Sequence, residues 1–278
     1  MEKKVGLQFV MQLKKIFEEK NWSNYESNDY VFESLCNLSE LLIESEEEYE
    51  LFLDLIKRYS WLSLNDYGVK VKKLLELILT KPDIPINKFY TFPIIKPEDQ
   101  KKNKSGNTVS YMFKGIKPFI KEAKHIKFEE LTLFEELIDL NLKRDDYLVL
   151  VDDYIGSGQT LFACIDEIIR INPELGEKII ISTIAIQYDT IPKINSPLFY
   201  IDQVQRGISD CYTSPDREKH IKTMINLETK LISGRNFSLG YEQSEGLITM
   251  FRTPDNTFPI FWHEYKKSTK LYPPFPRE

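Results

Sequence analysis

The chain has 278 residues, 42% of them hydrophobic and 13% aromatic, which supplies a sizeable core and excludes an intrinsically disordered protein. A net charge of −6 gives no global attraction for nucleic acid, and the basic cluster Lys101, Lys102 and Lys104 sits in a polar stretch that reads as solvated loop, so no intrinsic nucleic-acid binding is expected. The three cysteines (Cys36, Cys164, Cys211) are odd in number and far apart; they make neither a disulfide framework nor a zinc spacing, and favour a reducing, cytoplasmic setting.

The N-terminus carries charges throughout, unlike a signal peptide, and no apolar run reaches transmembrane length, so no membrane association is expected. The first eighty residues read as four helices. Leu7, Val10, Met11, Leu13 and Ile16 form a first stripe, and Phe32, Leu35, Leu38, Leu41 and Leu42 a second. Ser45 with Glu48 has the spacing of a capping box opening a third, through Tyr49, Leu51, Leu55 and Ile56. A fourth runs over Val69, Val71, Leu74, Leu75, Leu77 and Ile78. Residues 1–82 carry no catalytic constellation and are expected to form a helical appendage that packs on the core or recruits a partner.

Lys81-Pro82-Asp83-Ile84-Pro85 breaks this pattern. Beyond it, Phe89 to Ile95 is β-like, Lys96 to Asn107 a polar loop, Tyr111 to Phe113 β-like and Phe128 to Leu142 helical. Then come a buried strand (Tyr147 to Val151), a helix (Gly158 to Ile171), an Ile-rich strand (Lys178 to Ile186), a short strand (Leu198 to Ile201) and a helix (Asp216 to Ile232). Leu247 to Phe251 and Pro259 to Trp262 are predicted as late strands. Alternating apolar strands and helices predict an α/β domain over 83–278 with a mainly parallel sheet, extended at its C-terminus over 203–278. Ligands of such sheets sit beyond the carboxyl ends of the strands.

Asp152 and Asp153 fall at such an end. Two acids after a buried strand are costly unless they meet water, a metal or hydroxyl donors. Gly156, Ser157 and Gly158 then allow a tight turn, and Gln159 and Thr160 open a helix. Exposed backbone N–H groups, hydroxyls and a helix N-terminus suit a phosphate monoester. The neighbouring carboxylates repel that phosphate and suit sugar hydroxyls instead, so the motif asks for a ribose 5-phosphate. A tight strand-to-helix turn with solvated acids is the plainer alternative. A nucleotide-hydrolase reading fails for want of a Gly-Lys-Ser/Thr loop, and a dinucleotide-binding one for want of the third glycine.

The run Leu148-Val-Leu-Val-Asp-Asp-Tyr-Ile-Gly-Ser-Gly-Gln-Thr160 closely resembles the phosphoribosyl pyrophosphate (PRPP) loop of type I phosphoribosyltransferases. The resemblance implies that Asp152 and Asp153 hold the ribose 2- and 3-hydroxyls, and that Gly156, Ser157, Gly158, Gln159 and Thr160 bind the 5-phosphate. It also implies a pyrophosphate loop after an earlier strand, for which Lys104, Ser105 and Gly106 are the right residue types, with residues 98–110 able to close. Tyr154 and Tyr188 are candidates for contacting the acceptor, with Asp189 beside them. Mg²⁺ is expected with PRPP, near Asp152 and Asp153, bridging pyrophosphate and ribose hydroxyls while the C1–O bond breaks with oxocarbenium character.

Many purine-salvage transferases carry a general base where this chain has Gly156, so simple 6-oxopurine salvage is not expected. The helical front end and "GYEQSEGLITMFRTPDNTFPIFWHE" (240–264) are similar to a phosphoribosyltransferase-like family of prokaryotic conflict and antiphage loci, including some retron operons. That similarity implies an effector acting by phosphoribosyl transfer or nucleotide glycosidic cleavage, with a protein or ribonucleoprotein partner at the N-terminal helices. A non-catalytic sensor of PRPP or nucleotide is the alternative.

Overall fold

The computed structural model describes residues 2–42, 44–81, 84–234 and 236–277. Pro82 and Asp83, where the helical pattern was expected to break, lie outside them. In chain order the elements are α1 (Glu2–Glu19), α2 (Asn28–Leu42), α3 (Glu46–Arg58), β1 (Ser60–Trp61) and α4 (Leu64–Leu79), then β2 (Lys88–Pro93), α5 (Ser105–Ile116), β3 (Lys127–Glu130), β4 (Asp146–Ile155), α6 (Gln159–Ile171), β5 (Ile179–Gln187), β6 (Leu198–Val204), α7 (Asp216–Leu231) and β7 (Ile248–Thr249).

Two compact units divide these elements: Met1–Ser63 with Val204–Glu278, and Leu64–Gln203. The boundary expected between residues 82 and 83 falls inside the second unit. The N-terminal helices share one core with the C-terminal extension, through Phe9, Leu13, Phe52 and Leu55 on one side of the sequence and Leu227, Leu231, Phe258 and Phe261 on the other. A two-residue parallel pairing joins the same segments, Ser60 opposite Ile248 and Trp61 opposite Thr249. Periodicity reports which face of a helix is apolar, not which distant segment covers it.

All four expected N-terminal helices are present, but α1 turns a different face inward. Phe9, Leu13, Ile16 and Phe17 are buried, whereas Leu7 and Met11 are each 66% exposed. At Ser45 half of a capping box forms: its Oγ accepts from the Glu48 N–H at 3.2 Å, while the Glu48 carboxylate accepts from Glu44 N rather than from the cap residue.

The second unit holds a five-stranded sheet in the order β3-β2-β4-β5-β6, with β2–β3, β2–β4 and β4–β5 all parallel. Every residue of β5 is buried, as a strand covered on both faces requires. The expected mainly parallel sheet flanked by helices is therefore present. Three segments differ from expectation. Residues 105–116, read as loop and β-like, are α5. Part of the expected helix at Phe128 to Leu142 is β3, followed by a single 3₁₀ turn at Phe134–Leu137. The expected strand at Pro259 to Trp262 is a 3₁₀ turn, Pro259–Phe261, as suits a proline that opens a helical turn.

Candidate functional site

Strand β4 outlasts its neighbour. β2 pairs with it from Lys88 opposite Asp146 to Pro93 opposite Val151, and a last bond runs from Ile94 N to Val151 O at 2.9 Å. β5 continues alongside, with Asp152 opposite Thr183, Tyr154 opposite Ala185 and Ile155 opposite Ile186. The two acids therefore lie within the strand, not after it, at the level where β2 has run out. Asp153 is 6% exposed and Asp152 is half-buried.

Helices supply the donors that the sheet no longer provides. Ser105, the first residue of α5, donates from Oγ to Asp152 Oδ1 at 2.5 Å. Tyr67 of α4 donates its phenol to Asp153 Oδ2 at 2.8 Å. The Asp153 backbone N–H adds a bond to Asp152 Oδ1 at 2.8 Å. Gly106 makes the approach of α5 possible, since a Cβ there would stand 2.5 Å from Val151 O and 3.0 Å from Pro93 Cβ. Burial pushes Asp152 well above the usual carboxylate range, and the charge of Asp153 adds to it. Burial also raises Asp153, against the lowering effect of the Tyr67 and Ser105 hydroxyls. Among the described residues neither acid has an ion-pair partner, and no group of three or more His, Cys, Asp or Glu side chains could hold a metal.

Past Ile155 the chain turns into α6 through Gly158, whose φ of +86° favours glycine. Its carbonyl accepts from Phe162 N at 2.9 Å, and a Cβ would stand 2.7 Å from the Phe162 ring. Thr190 fixes the start of the turn by donating Oγ1 to Gly156 O at 2.6 Å. Ser157 and Thr160 are half-buried and Gln159 is exposed, so the turn and the first turn of α6 reach solvent beside the acids.

The other expected residues divide. Lys104 is the residue preceding α5, and its ammonium lies 2.9 Å from Asp99, whose carboxyl Lys102 and Lys104 hold down at about 2. Tyr154 is 8% exposed and donates its hydroxyl to Gln187 Oε1 at 2.5 Å, so it braces β4 against β5. Tyr188 is 51% exposed at the end of β5 and Asp189 follows it in the same 3₁₀ turn. Sequence reasoning missed Tyr67 and Thr190. Tyr67 looked like one more aromatic in a helical stripe, and nothing local separates it from a core residue. A different cleft, lined by Ile225, Glu228, Thr229, Phe237, Ser238 and His263, lies in the unit formed by Met1–Ser63 and Val204–Glu278.

The mainly parallel sheet flanked by helices is a phosphoribosyltransferase-like fold. The chain belongs to the PRTase-CE family, whose model matches residues 19–277. No curated relative matches it in sequence. Among solved structures it is similar to the hypoxanthine-guanine phosphoribosyltransferase of Schistosoma mansoni in complex with IMP (10% identity, TM-score 0.33), covering 51% of this chain and 64% of that one, just under two thirds of its length. It is also similar to a hypothetical protein from Neisseria gonorrhoeae with bound ppGpp (13% identity, TM-score 0.36, covering 59% of this chain and 94% of that one). The APRTase of Giardia lamblia complexed with 9-deazaadenine gives 15% identity and a TM-score of 0.30, over 49% and 78% of the two chains. These likenesses are low, and family membership rests on the family model.

Proposed function

We propose that the protein binds a ribose 5-phosphate-containing ligand, PRPP or a nucleotide, and acts on it by phosphoribosyl transfer or glycosidic cleavage, as an effector of a bacterial antiphage system. The observation that carries the ligand class is the buried acid pair, satisfied by hydroxyl donors from two helices and flanked by the 156–160 turn. Carboxylates whose partners are hydroxyls and not cations are suited to a sugar diol. The turn and the N-terminus of α6 offer backbone donors to the 5-phosphate. The similarity of the helical front end and C-terminal segment to conflict-system proteins supports the defence role.

Asp152 and Asp153 would orient the ribose, and the 156–160 turn would hold its phosphate, so that C1 stands fixed while its bond to the leaving group breaks and the acceptor attacks. The donor set is all oxygen, which suits Mg²⁺. Asp152 and Asp153 would hold such an ion beside the sugar, where it would supply charge neutralisation for the leaving group. The exposed Tyr188 is the better placed of the two aromatic candidates for the acceptor. Gly156 offers no base, which favours a second reading: a sensor that binds the ligand without turnover.

Calorimetry with PRPP and cellular nucleotides, followed by chromatography of the products, tests both readings. Binding and consumption by the wild type, lost in Asp152→Asn/Asp153→Asn, is expected. Binding with nothing consumed leaves the sensor; no binding at all defeats the ligand class. The defence role is tested separately by phage plating on cells carrying the intact locus, and equal plating with wild type and double variant overturns it.

A further inference from the structure

The acid pair is not symmetric in its surroundings. Asp153 is nearly inaccessible, and its partner Tyr67 is itself 3% exposed, on the buried face of the first turn of α4. The same helix is tied to the sheet by Lys70, whose ammonium lies 2.6 Å from Asp202 of β6. The phenol therefore has nowhere to go without moving the helix. Asp152 is half-buried, and its partner Ser105 is the first residue of α5, bearing a short side chain at a helix end that follows a polar stretch. One acid is clamped; the other is covered by a hydroxyl that a single rotamer change removes.

We propose that Tyr67 is a positioning residue of the ligand site, which holds Asp153 permanently, so that Asp152 alone exchanges its Ser105 hydroxyl for a hydroxyl of the sugar. This rests on the ligand class proposed above and divides the pair that it treats as equivalent. The Asp153 backbone N–H orients the carboxylate of its neighbour through its bond to Asp152 Oδ1. Ser105 Oγ stands where the ligand hydroxyl would bind, since both are neutral donors suited to the same carboxylate oxygen.

The experiment measures affinity for ribose 5-phosphate and for 2,3-dideoxyribose 5-phosphate, which lacks the 2- and 3-hydroxyls and keeps the anomeric one, by calorimetry. The ratio of the two affinities reports hydroxyl recognition alone, because unfolding or loss of the phosphate site lowers both together. Tyr67→Phe keeps the buried ring and removes the donor; it is expected to lower the ratio about tenfold, the size of one hydrogen bond to a charged group. In an Asp153→Ala background, which leaves the phenol no oxygen at that position to donate to, the same change is expected to leave the ratio where it stands. Asp152→Asn is expected to abolish the preference, and Ser105→Ala to preserve or raise it. A wild-type protein that binds neither sugar phosphate defeats the ligand class itself. A wild type that prefers the ribose form, with Tyr67→Phe folded and its ratio unchanged, overturns the role of Tyr67 alone. If Tyr67→Phe does not fold, the order of the acid variants decides: Asp153→Asn costing as much preference as Asp152→Asn, or more, refutes the division.

Discussion

Glu228 offers a prediction whose sign and size both follow from its surroundings. It sits on α7, 5% exposed, and its carboxyl accepts from Ser238 Oγ at 2.6 Å and from Leu239 N at 3.0 and 3.2 Å. Those bonds favour the charged form, yet burial outweighs them and pushes the group up from 4.5 to about 7. Below pH 4.5 the group is neutral in folded and unfolded chains alike. Between pH 4.5 and 7 the unfolded chain releases the proton that the folded one retains, so stability falls as pH rises, and above 7 the loss is complete. A rise of this size corresponds to about 3 kcal/mol. Glu228→Gln keeps an oxygen to accept both donors and cannot ionise; its extra N–H₂ adds a cost that does not vary with pH. Urea unfolding from pH 4.5 to 8 reads the slope. Tryptophan fluorescence suits it, because Trp22, Trp61 and Trp262 all belong to the unit that contains Glu228. The wild type is expected to lose about 3 kcal/mol relative to the variant across that range. Parallel curves would refute the reasoning.

Three further outcomes are expected. Gly106→Ala gains up to about 1 kcal/mol of helix propensity. It must also displace α5 from Val151 O, which costs about 1–3 kcal/mol, so the net effect is a lower urea midpoint and a weakened Ser105–Asp152 contact. Asp152→Asn/Asp153→Asn removes two acids that burial raises. The wild type therefore loses stability as pH climbs above the usual carboxylate range, and the double variant should have a flatter thermal-melting profile between pH 4 and 8, with no penalty at neutral pH. Thr190→Val leaves the buried Gly156 carbonyl without its donor, at about 1–3 kcal/mol, and faster amide exchange confined to residues 156–160 is the readout.

The elements that were legible in the sequence are those whose surroundings repeat along the chain. β4 and β5 announce themselves because a strand covered on both faces must be apolar at every position, and α6 because its apolar positions recur with helical period. The glycine turn between them was equally readable, since Gly158 takes a conformation that side chains resist. α5 was missed because Ser, Gly, Asn and Thr crowd its first turn, residues more usual in loops, whereas Gly106 is there to let the helix touch the strand. The unit shared by residues 1–63 and 204–278 was invisible for another reason. Phe52 stacks on Phe261 with ring centroids 6.1 Å apart, and no local pattern encodes a pairing across two hundred positions.

That the acids lie inside β4 changes what the site requires of a ligand. An acid placed after a strand would be solvated, and binding would cost only the displacement of water. Here β2 stops opposite Val151, so Asp152 and Asp153 project where the sheet is one strand narrower, and α4 and α5 have filled the gap with hydroxyls. Burial has already been imposed on the carboxylates, and their hydrogen bonds are already made. A sugar entering this site must replace a protein donor bond by bond, and its gain is only the difference between two similar bonds. If the ligand is the ribose 5-phosphate proposed above, its affinity would then come from the phosphate at the 156–160 turn, while the acids would contribute selectivity. A ligand lacking that phosphate should fail to open Ser105 from Asp152 at all. Free ribose and ribose 5-phosphate separate the two contributions: measurable binding of the phosphate-free sugar would show that the acids, not the turn, provide the affinity.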